Sequence, residues 1–172
     1  LHNQRLYSIV KKLFKKYISH KKMAACIATW IFGLHAVKSA KKHLLEGNSA
    51  LDSVEKGLSD AEEDISIGGY LVGRGGLPNS EGIMECDAAI MDGETSRFGA
   101  VIALEGVSSS IRVARKVMFE SNHNILVGSG AQAFAKRHGF AIENNDALMG
   151  EESSQKYLQF KNKQEKPSGH DT

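Results

Sequence analysis

The sequence predicts a mixed α/β domain, and three features carry that prediction. Helical periodicity and short β-branched runs follow one another along the chain instead of being segregated into halves. With 172 residues, 41% of them apolar and only two of them proline, the chain is long enough to bury one sizeable core. No internal repeat is detectable, so a solenoid or propeller is not indicated.

Taken in order, AACIATW (residues 24–30) is a short apolar run ending at Gly33 and reads as a buried first strand. Lys21-Lys22 followed by MAACIATWIFGL also imitates the charged and apolar regions of a signal peptide, and the two readings compete. From His35 the pattern turns helical, with Ala36/Val37, Ala40 and Leu44 on one face and Gly47 as a C-terminal stop. Ser49 opens a second helix with Asp52 as capping partner, and Ala50/Leu51, Val54, Leu58 and Ala61 supply its expected apolar stripe. Glu62, Glu63 and Asp64 are unfavourable at a helix C-terminus and are read as loop.

SIGGYLVGRGGLPNSEG (residues 66–82) holds six glycines in seventeen residues, a density that calls for unusual backbone angles or close approach by another group. MECDAAIMDGE and FGAVIALEG read as two strands joined at Asp92-Gly93. SSSIRVARKVMFES is a capped amphipathic helix with Ile111, Ala114 and Val117/Met118 inward. NILV is a further strand and SGAQAFAKRHG a further helix, closed by Gly139. Beyond Phe140 the text is polar and weakly periodic, a surface connection with one helix near residues 151–160.

The net charge of +2 hides an asymmetry: residues 1–22 carry seven Lys/Arg and no acid, leaving 15 bases against 20 acids in the remainder. In that segment Leu6, Ile9, Val10, Leu13, Phe14, Tyr17 and Ile18 recur at helical spacing opposite Lys11, Lys12, Lys15 and Lys16. This basic amphipathic pattern either lies on an anionic membrane or targets an organelle, or else is a solvated extension packing loosely on the domain or spurious sequence upstream of Met23. The acidic remainder argues against nucleic acid as a partner. No apolar run approaches the ~20 residues of a spanning helix, and there is no N-x-[ST] sequon. The chain begins with Leu, which reads as a fragment or a start inside a longer frame.

Several generic motifs in the chain compete with ordinary structural roles. Cys26 and Cys86, 60 residues apart without a C-x-x-C, support neither a disulfide framework nor a zinc site. His35, His43, His123, His138 and His170 show no ligand spacing, so no metal is expected. Gly128-x-Gly130-x-x-Ala133 after a strand imitates a dinucleotide fingerprint, but that strand is not the first of a βαβ unit and no acid follows in the right context; no cofactor is expected. Asp87 and Asp92, an odd five residues apart, point to opposite faces of an extended segment and are read as structural, Asp92 in the turn.

Read together, ATWIFGLHA, GNSALDSVEKG, VGRGGLPN, CDAAIMDGE, SIRVARKVM, ILVGSGAQAFA and the final GHDT resemble, in order and spacing, the signatures of the glycosylasparaginases (aspartylglucosaminidases). The similarity covers residues 27–140 and returns at 169–172. It divides the chain into an extension (1–22), an α-subunit-like body (23–140) and a polar linker to a cleavage site (141–172).

The resemblance implies an N-terminal-nucleophile amidohydrolase of four-layer αββα architecture, of which this chain holds the N-terminal half. Asp171-Thr172 is then the bond that the precursor cuts in itself, and Thr172 the nucleophile. A threonine hydroxyl is a weak nucleophile, and a freed α-amine of ordinary pKa about 7.7–8.0 can serve as its base. Trp30, in the matching TW-x-FG stretch, takes the place of a tryptophan lining the substrate pocket; an ordinary core aromatic is the alternative. Implied partners are a glycosylated asparagine substrate, a β-subunit from the same precursor and an (αβ)2 assembly; the implied location is lysosomal, although no convincing signal peptide is present. Arg74 departs from the family, which commonly has an aromatic there. The family's downstream substrate clamp and oxyanion donors have no counterpart before Thr172, so this chain alone is expected to be inactive. Isoaspartyl peptidases and plant-type asparaginases share the fold but usually lack TW-x-FG and HDT. A truncated, non-catalytic chain is the remaining alternative.

Overall fold

A computed structural model describes residues 24–68 and 72–164. The basic segment 1–22 and the Asp171-Thr172 bond lie outside the described residues. After a single 3-10 turn at Ile31–Gly33, helix α1 spans Leu34–Leu45 and helix α2 spans Ala50–Glu63. α1 buries Ala36 and Ala40, as its periodicity predicts, and the chain leaves it through Gly47 at φ 94°. Ser49 caps α2, accepting the Asp52 N–H at 3.0 Å while its hydroxyl donates to the Asp52 carboxylate at 2.6 Å; such a cap contributes about 1 kcal/mol.

The buried side of α2 differs from the predicted stripe. Ser53, Gly57, Ser59, Ala61 and Glu62 are buried, whereas Val54 and Leu58 are 43% and 37% exposed. Close helix approach explains part of this: a Cβ at Gly57 would lie 2.4 Å from the Ala36 carbonyl and 3.0 Å from the Ala40 Cβ. Small residues therefore take the contact positions. Glu62 and Glu63 belong to the last turn of α2, not to a loop, because the Glu62 carboxyl group finds hydrogen-bond partners at the start of another helix.

A four-residue helix α3 (Ile65–Gly68) leads towards the glycine-rich loop. Strands β1 (Glu85–Met91), β2 (Phe98–Glu105) and β3 (Ile125–Val127) form one sheet in the order β1-β2-β3, antiparallel then parallel. The connection at residues 92–97 is longer than a two-residue turn and is built on Asp92, whose carboxylate accepts the Thr95 hydroxyl at 2.6 Å and the Glu94 N–H at 3.2 Å. A bulge lies between Cys86 and Ala88. Opposite it Ala103 takes φ 48° and donates its N–H to the Asp87 carboxylate at 2.8 Å, which satisfies a donor that the broken ladder leaves unpaired. Asp87 and Asp92 are thus both structural.

Helix α4 (Ser110–Glu120) returns over the sheet between β2 and β3, and helix α5 (Gly128–Arg137) follows β3. Their Ile111, Val113, Ala114, Val117, Met118, Ala131, Phe134 and Ala135 form one buried cluster with Ile90, Val101, Leu104 and Val107. At Gly99 a Cβ would sit 2.2 Å from the Ala114 carbonyl, so β2 and α4 meet backbone to backbone. Helix α6 (Asn145–Gln164) breaks at Gly150 (φ 72°, ψ 169°).

The architecture is α/β, with α4 and α5 packed on one side of a small sheet. The predicted first strand is not observed. Residues 24–30 form no regular structure and are largely exposed, Ile27 at 95%, because a strand needs a ladder partner and none of the described strands pairs with it. No helix among the described residues is long and apolar enough to cross a membrane.

Candidate functional site

Trp30 immediately precedes the 3-10 turn and donates no cap; its carbonyl accepts the Gly33 N–H at 3.0 Å. Its ring stacks against Phe32 with centroids 6.2 Å apart and is 70% exposed. Within the described residues it is therefore not buried. Ile27, Ile31 (90% exposed) and Leu34 flank it, making residues 27–34 an uncovered apolar stretch. Thr172 and Asp171 lie outside the described residues.

The glycine-rich loop shows what its composition is for. Gly73 (φ 58°) and Gly75 (φ 81°) take left-handed backbone, and a Cβ at Gly73 would lie 2.2 Å from the Glu62 carbonyl oxygen. The loop is sewn to the segment that opens and continues α6. Arg74 donates from its two terminal nitrogens to the two Glu143 oxygens at 3.0 and 2.9 Å and to the Ala147 carbonyl at 3.2 Å. Gly75 N–H donates to the Leu148 carbonyl, and the Ser153 hydroxyl to the Gly75 carbonyl. Asn145 accepts the Met84 N–H and donates to the Gly82 carbonyl. The Glu143 pairing pushes the Arg74 guanidinium above its ordinary value, and Arg74 holds the Glu143 carboxyl below its own. This arginine is thus a clamp between loop and α6.

Glu62, 8% exposed, is the one buried acid among the described residues. Its carboxylate accepts the Ser110 hydroxyl at 2.5 Å, the Ser109 hydroxyl at 3.0 Å and the Ile111 N–H at 3.2 Å from either oxygen. Burial pushes it up to about 7 against those donors. Burial, and then the Glu62 charge, push the Cys86 thiol up to about 11, which leaves it an inert thiol at neutral pH. Both cysteines are free. A cavity of about 340 Å³ lies between α4, residues 138–141 and the Arg74–Glu143 clamp; Trp30 does not line it.

The remaining candidates separate. No group of three or more His, Cys, Asp or Glu able to hold a metal occurs among the described residues. His138 pairs with Glu120 at 2.9 Å and rests on Phe134, and His43 pairs with Glu46. Gly128 takes φ 51° in the β3–α5 turn, with nothing within 4 Å of a Cβ placed there or at Gly130. That turn follows the last strand of the sheet, not the first. Sequence reasoning missed Glu62 and the Arg74–Glu143 clamp. The signal for Glu62 was present, since acids in the last turn of a helix oppose its dipole and need a reason.

Comparison with known proteins adds what geometry cannot. A family profile described as asparaginase matches residues 15–172. An N(4)-(beta-N-acetylglucosaminyl)-L-asparaginase from Elizabethkingia miricola is 42% identical over 151 residues, covering 85% of this chain and 43% of its own length. An isoaspartyl peptidase/L-asparaginase from Xenopus laevis is 34% identical over 132 residues, 76% of this chain and 42% of its own. A plant-type L-asparaginase from Pyrococcus abyssi is 43% identical over 105 residues, 61% and 33% respectively. The chain spans less than half the length of each of these relatives.

Proposed function

The chain belongs to the asparaginase family, and from that premise we propose that it is the N-terminal part of an amidohydrolase acting on the side-chain amide of asparagine. The observation that carries this reading is the long match to relatives that are all named for asparagine-type hydrolysis. In the finer reading the substrate is N4-(β-N-acetylglucosaminyl)-L-asparagine and the reaction runs through Thr172. The Thr29-Trp30-Ile31-Phe32-Gly33 and Gly169-His170-Asp171-Thr172 stretches support that choice. So does the exposure of Trp30, available as a pocket wall.

The chemistry balances without a cofactor. In the precursor the Thr172 hydroxyl oxygen attacks the Asp171 carbonyl carbon; an ester forms as the peptide C–N bond breaks, the hydroxyl proton passing to the freed Thr172 α-amine, and water then hydrolyses that ester to the Asp171 carboxylate and the Thr172 hydroxyl. In turnover that amine takes the hydroxyl proton while the oxygen attacks the substrate's amide carbon. The C–N bond breaks, the nitrogen leaves as the protonated glycosylamine, and water cleaves the acyl ester to release aspartate. The side of the sheet away from α4 and α5 exposes Met91, Phe98, Ile102, Ile125 and Val127, which supports a four-layer αββα arrangement, in which a second sheet contributed by downstream sequence would cover it. An (αβ)2 assembly and a lysosomal setting follow from the same resemblance.

In the full-length protein, Thr172→Ala should leave one uncut band and reduce hydrolysis to background. Trp30→Ala should still cut but lower kcat/KM at least tenfold, since a pocket wall positions substrate without performing the chemistry. Gel analysis beside kinetics on glycosylated asparagine, asparagine and an isoaspartyl dipeptide separates the readings. Cleavage of Thr172→Ala at Asp171 would remove the nucleophile assignment. The second reading, an isoaspartyl peptidase or plain asparaginase, is favoured by the relatives of that type and wins if the isoaspartyl or unmodified substrate is preferred. No turnover of any of the three by the full-length protein leaves the non-catalytic alternative.

A further inference from the structure

Glu62 sits at a joint of three elements. Its side chain, in the last turn of α2, holds the first turn of α4 through Ser109, Ser110 and Ile111. Its backbone carbonyl accepts the Arg74 N–H at 2.7 Å, and Gly73 packs on the same carbonyl with no room for a Cβ. One residue thus ties α2, α4 and the entry to the glycine-rich loop.

Among the described residues that joint contains no countercharge. The salt bridges of the described residues leave Glu62 unpaired: the Arg74 guanidinium is turned to Glu143 and, at 3.6 Å, to Glu63. The groups facing Glu62 are Glu63 from its own helix, the neutral Cys86 thiol from β1, and uncharged serines from α4. Four hydrogen-bond contacts and the positive end of α4 favour the carboxylate. Burial without a cation, beside a second acid, favours the neutral form. A neutral Glu62 still fits, because a serine hydroxyl that donates to a carboxylate can rotate and accept from a carboxylic acid, while Ser109 keeps its contact with Ser59 at 2.9 Å.

We propose that Glu62 is a proton-operated latch: as the neutral acid it locks the α2–α4 joint and the glycine-rich loop together, and loss of its proton to solvent loosens them. The sign follows from linkage. Its folded-state value, about 7, lies above the ordinary 4.5, so its stabilising contribution is complete below pH 4.5, declines as pH rises, and is lost above about 7. The latch is independent of the proposed nucleophile and substrate, so either idea can fail alone.

The test uses the full-length protein and its Glu62→Gln variant, which keeps size and hydrogen bonding but cannot titrate. Thermal midpoints and amide exchange are followed from pH 5 to 8. The wild type should lose several degrees relative to the variant across this range, with exchange speeding up at residues 72–76 and 109–111; parallel profiles would overturn the latch. Should the variant not fold, wild-type protein carrying 13C-labelled glutamate carboxyls gives the same answer. One carboxyl should titrate near pH 7, and titration of every glutamate below about pH 5 would sink the proposal. Ser110→Ala removes a donor to the carboxylate and should move that midpoint upward; an unmoved or lower midpoint would also count against it.

Discussion

Around Met91, Phe98, Ile102 and Val127 the two faces of the sheet have similar side-chain chemistry and opposite surroundings, while towards Glu85, Asp87 and Glu105 the exposed face turns acidic. On one, Ile90, Val101 and Leu104 lie under α4 and α5, with Val101 and Leu104 at 0% and 1% exposure. On the other, Met91, Phe98, Ile102, Ile125 and Val127 are between 37% and 59% exposed. The register puts these five on one face, since Met91 pairs with Phe98 and Ile102 with Val127. A sheet that faces water alternates apolar and polar residues, whereas one buried on both sides reads as a continuous apolar run. Phe98–Leu104 is such a run. The covered face shows what two helices supply, and the open face shows the same demand unmet within the described residues.

The largest effect should come from the point where the covered face is tightest. At Gly99 an added Cβ would meet backbone, 2.2 Å from the Ala114 carbonyl and 2.4 Å from the Met118 nitrogen. Backbone cannot swing aside as a flexible side chain can, so Gly99→Val should cost more than about 4 kcal/mol, the range that marks a broken core. The expected result is loss of the cooperative melt followed by circular dichroism. A folded Gly99→Val chain would mean that α4 does not sit so close to β2.

Next in size is Leu104→Ala, which removes a fully buried side chain from the same face. A cost of about 2–5 kcal/mol is expected from lost transfer energy plus the cavity left behind. Chemical denaturation of wild type and variant measures it. A change below about 1 kcal/mol would mean that the covered face is packed no better than the open one, which would break the contrast.

How much of this was legible beforehand depended on what each segment packs against. α1, α4, β1, β2 and the β3–α5 unit follow from periodicity because their partners lie within the described chain. Residues 24–30 carry an equally good strand pattern, yet no ladder partner takes them. Pattern reports what a segment can do, and pairing decides whether it does. The α2 stripe misled for a related reason, since close contact with α1 rewards Gly57 over Leu58. Glycine density in residues 66–82 correctly announced close approach at Gly73, but no local rule names the distant partner, Glu62. Of the proposed site, Trp30 and the Asp171-Thr172 bond were legible only as a resemblance. Arg74, marked as a departure from that family, is the residue whose role the structure makes plainest.

The smallest effect, and the sharpest discrimination, belongs to Ile102 on the open face. Threonine keeps the β-branched shape and strand preference of isoleucine, so Ile102→Thr changes mainly the polarity of an exposed position that is 42% accessible. In the 172-residue chain alone that should alter stability by no more than about 0.5 kcal/mol, as exposed substitutions do. It should also lower self-association, because one exposed apolar contact has been removed. In the full-length protein the same substitution meets different physics if a second sheet covers this face: a hydroxyl would then be buried without an assured partner, at about 1–3 kcal/mol. Unfolding curves of the two forms, each with and without Ile102→Thr, supply the comparison, and sedimentation of the short chain reports its association. A cost that grows several-fold from short chain to full length would mark the open face as an interior surface awaiting its cover. Equal, negligible costs in both would leave the face solvent-exposed in the complete protein, and the four-layer arrangement would have to be given up even with the family assignment intact.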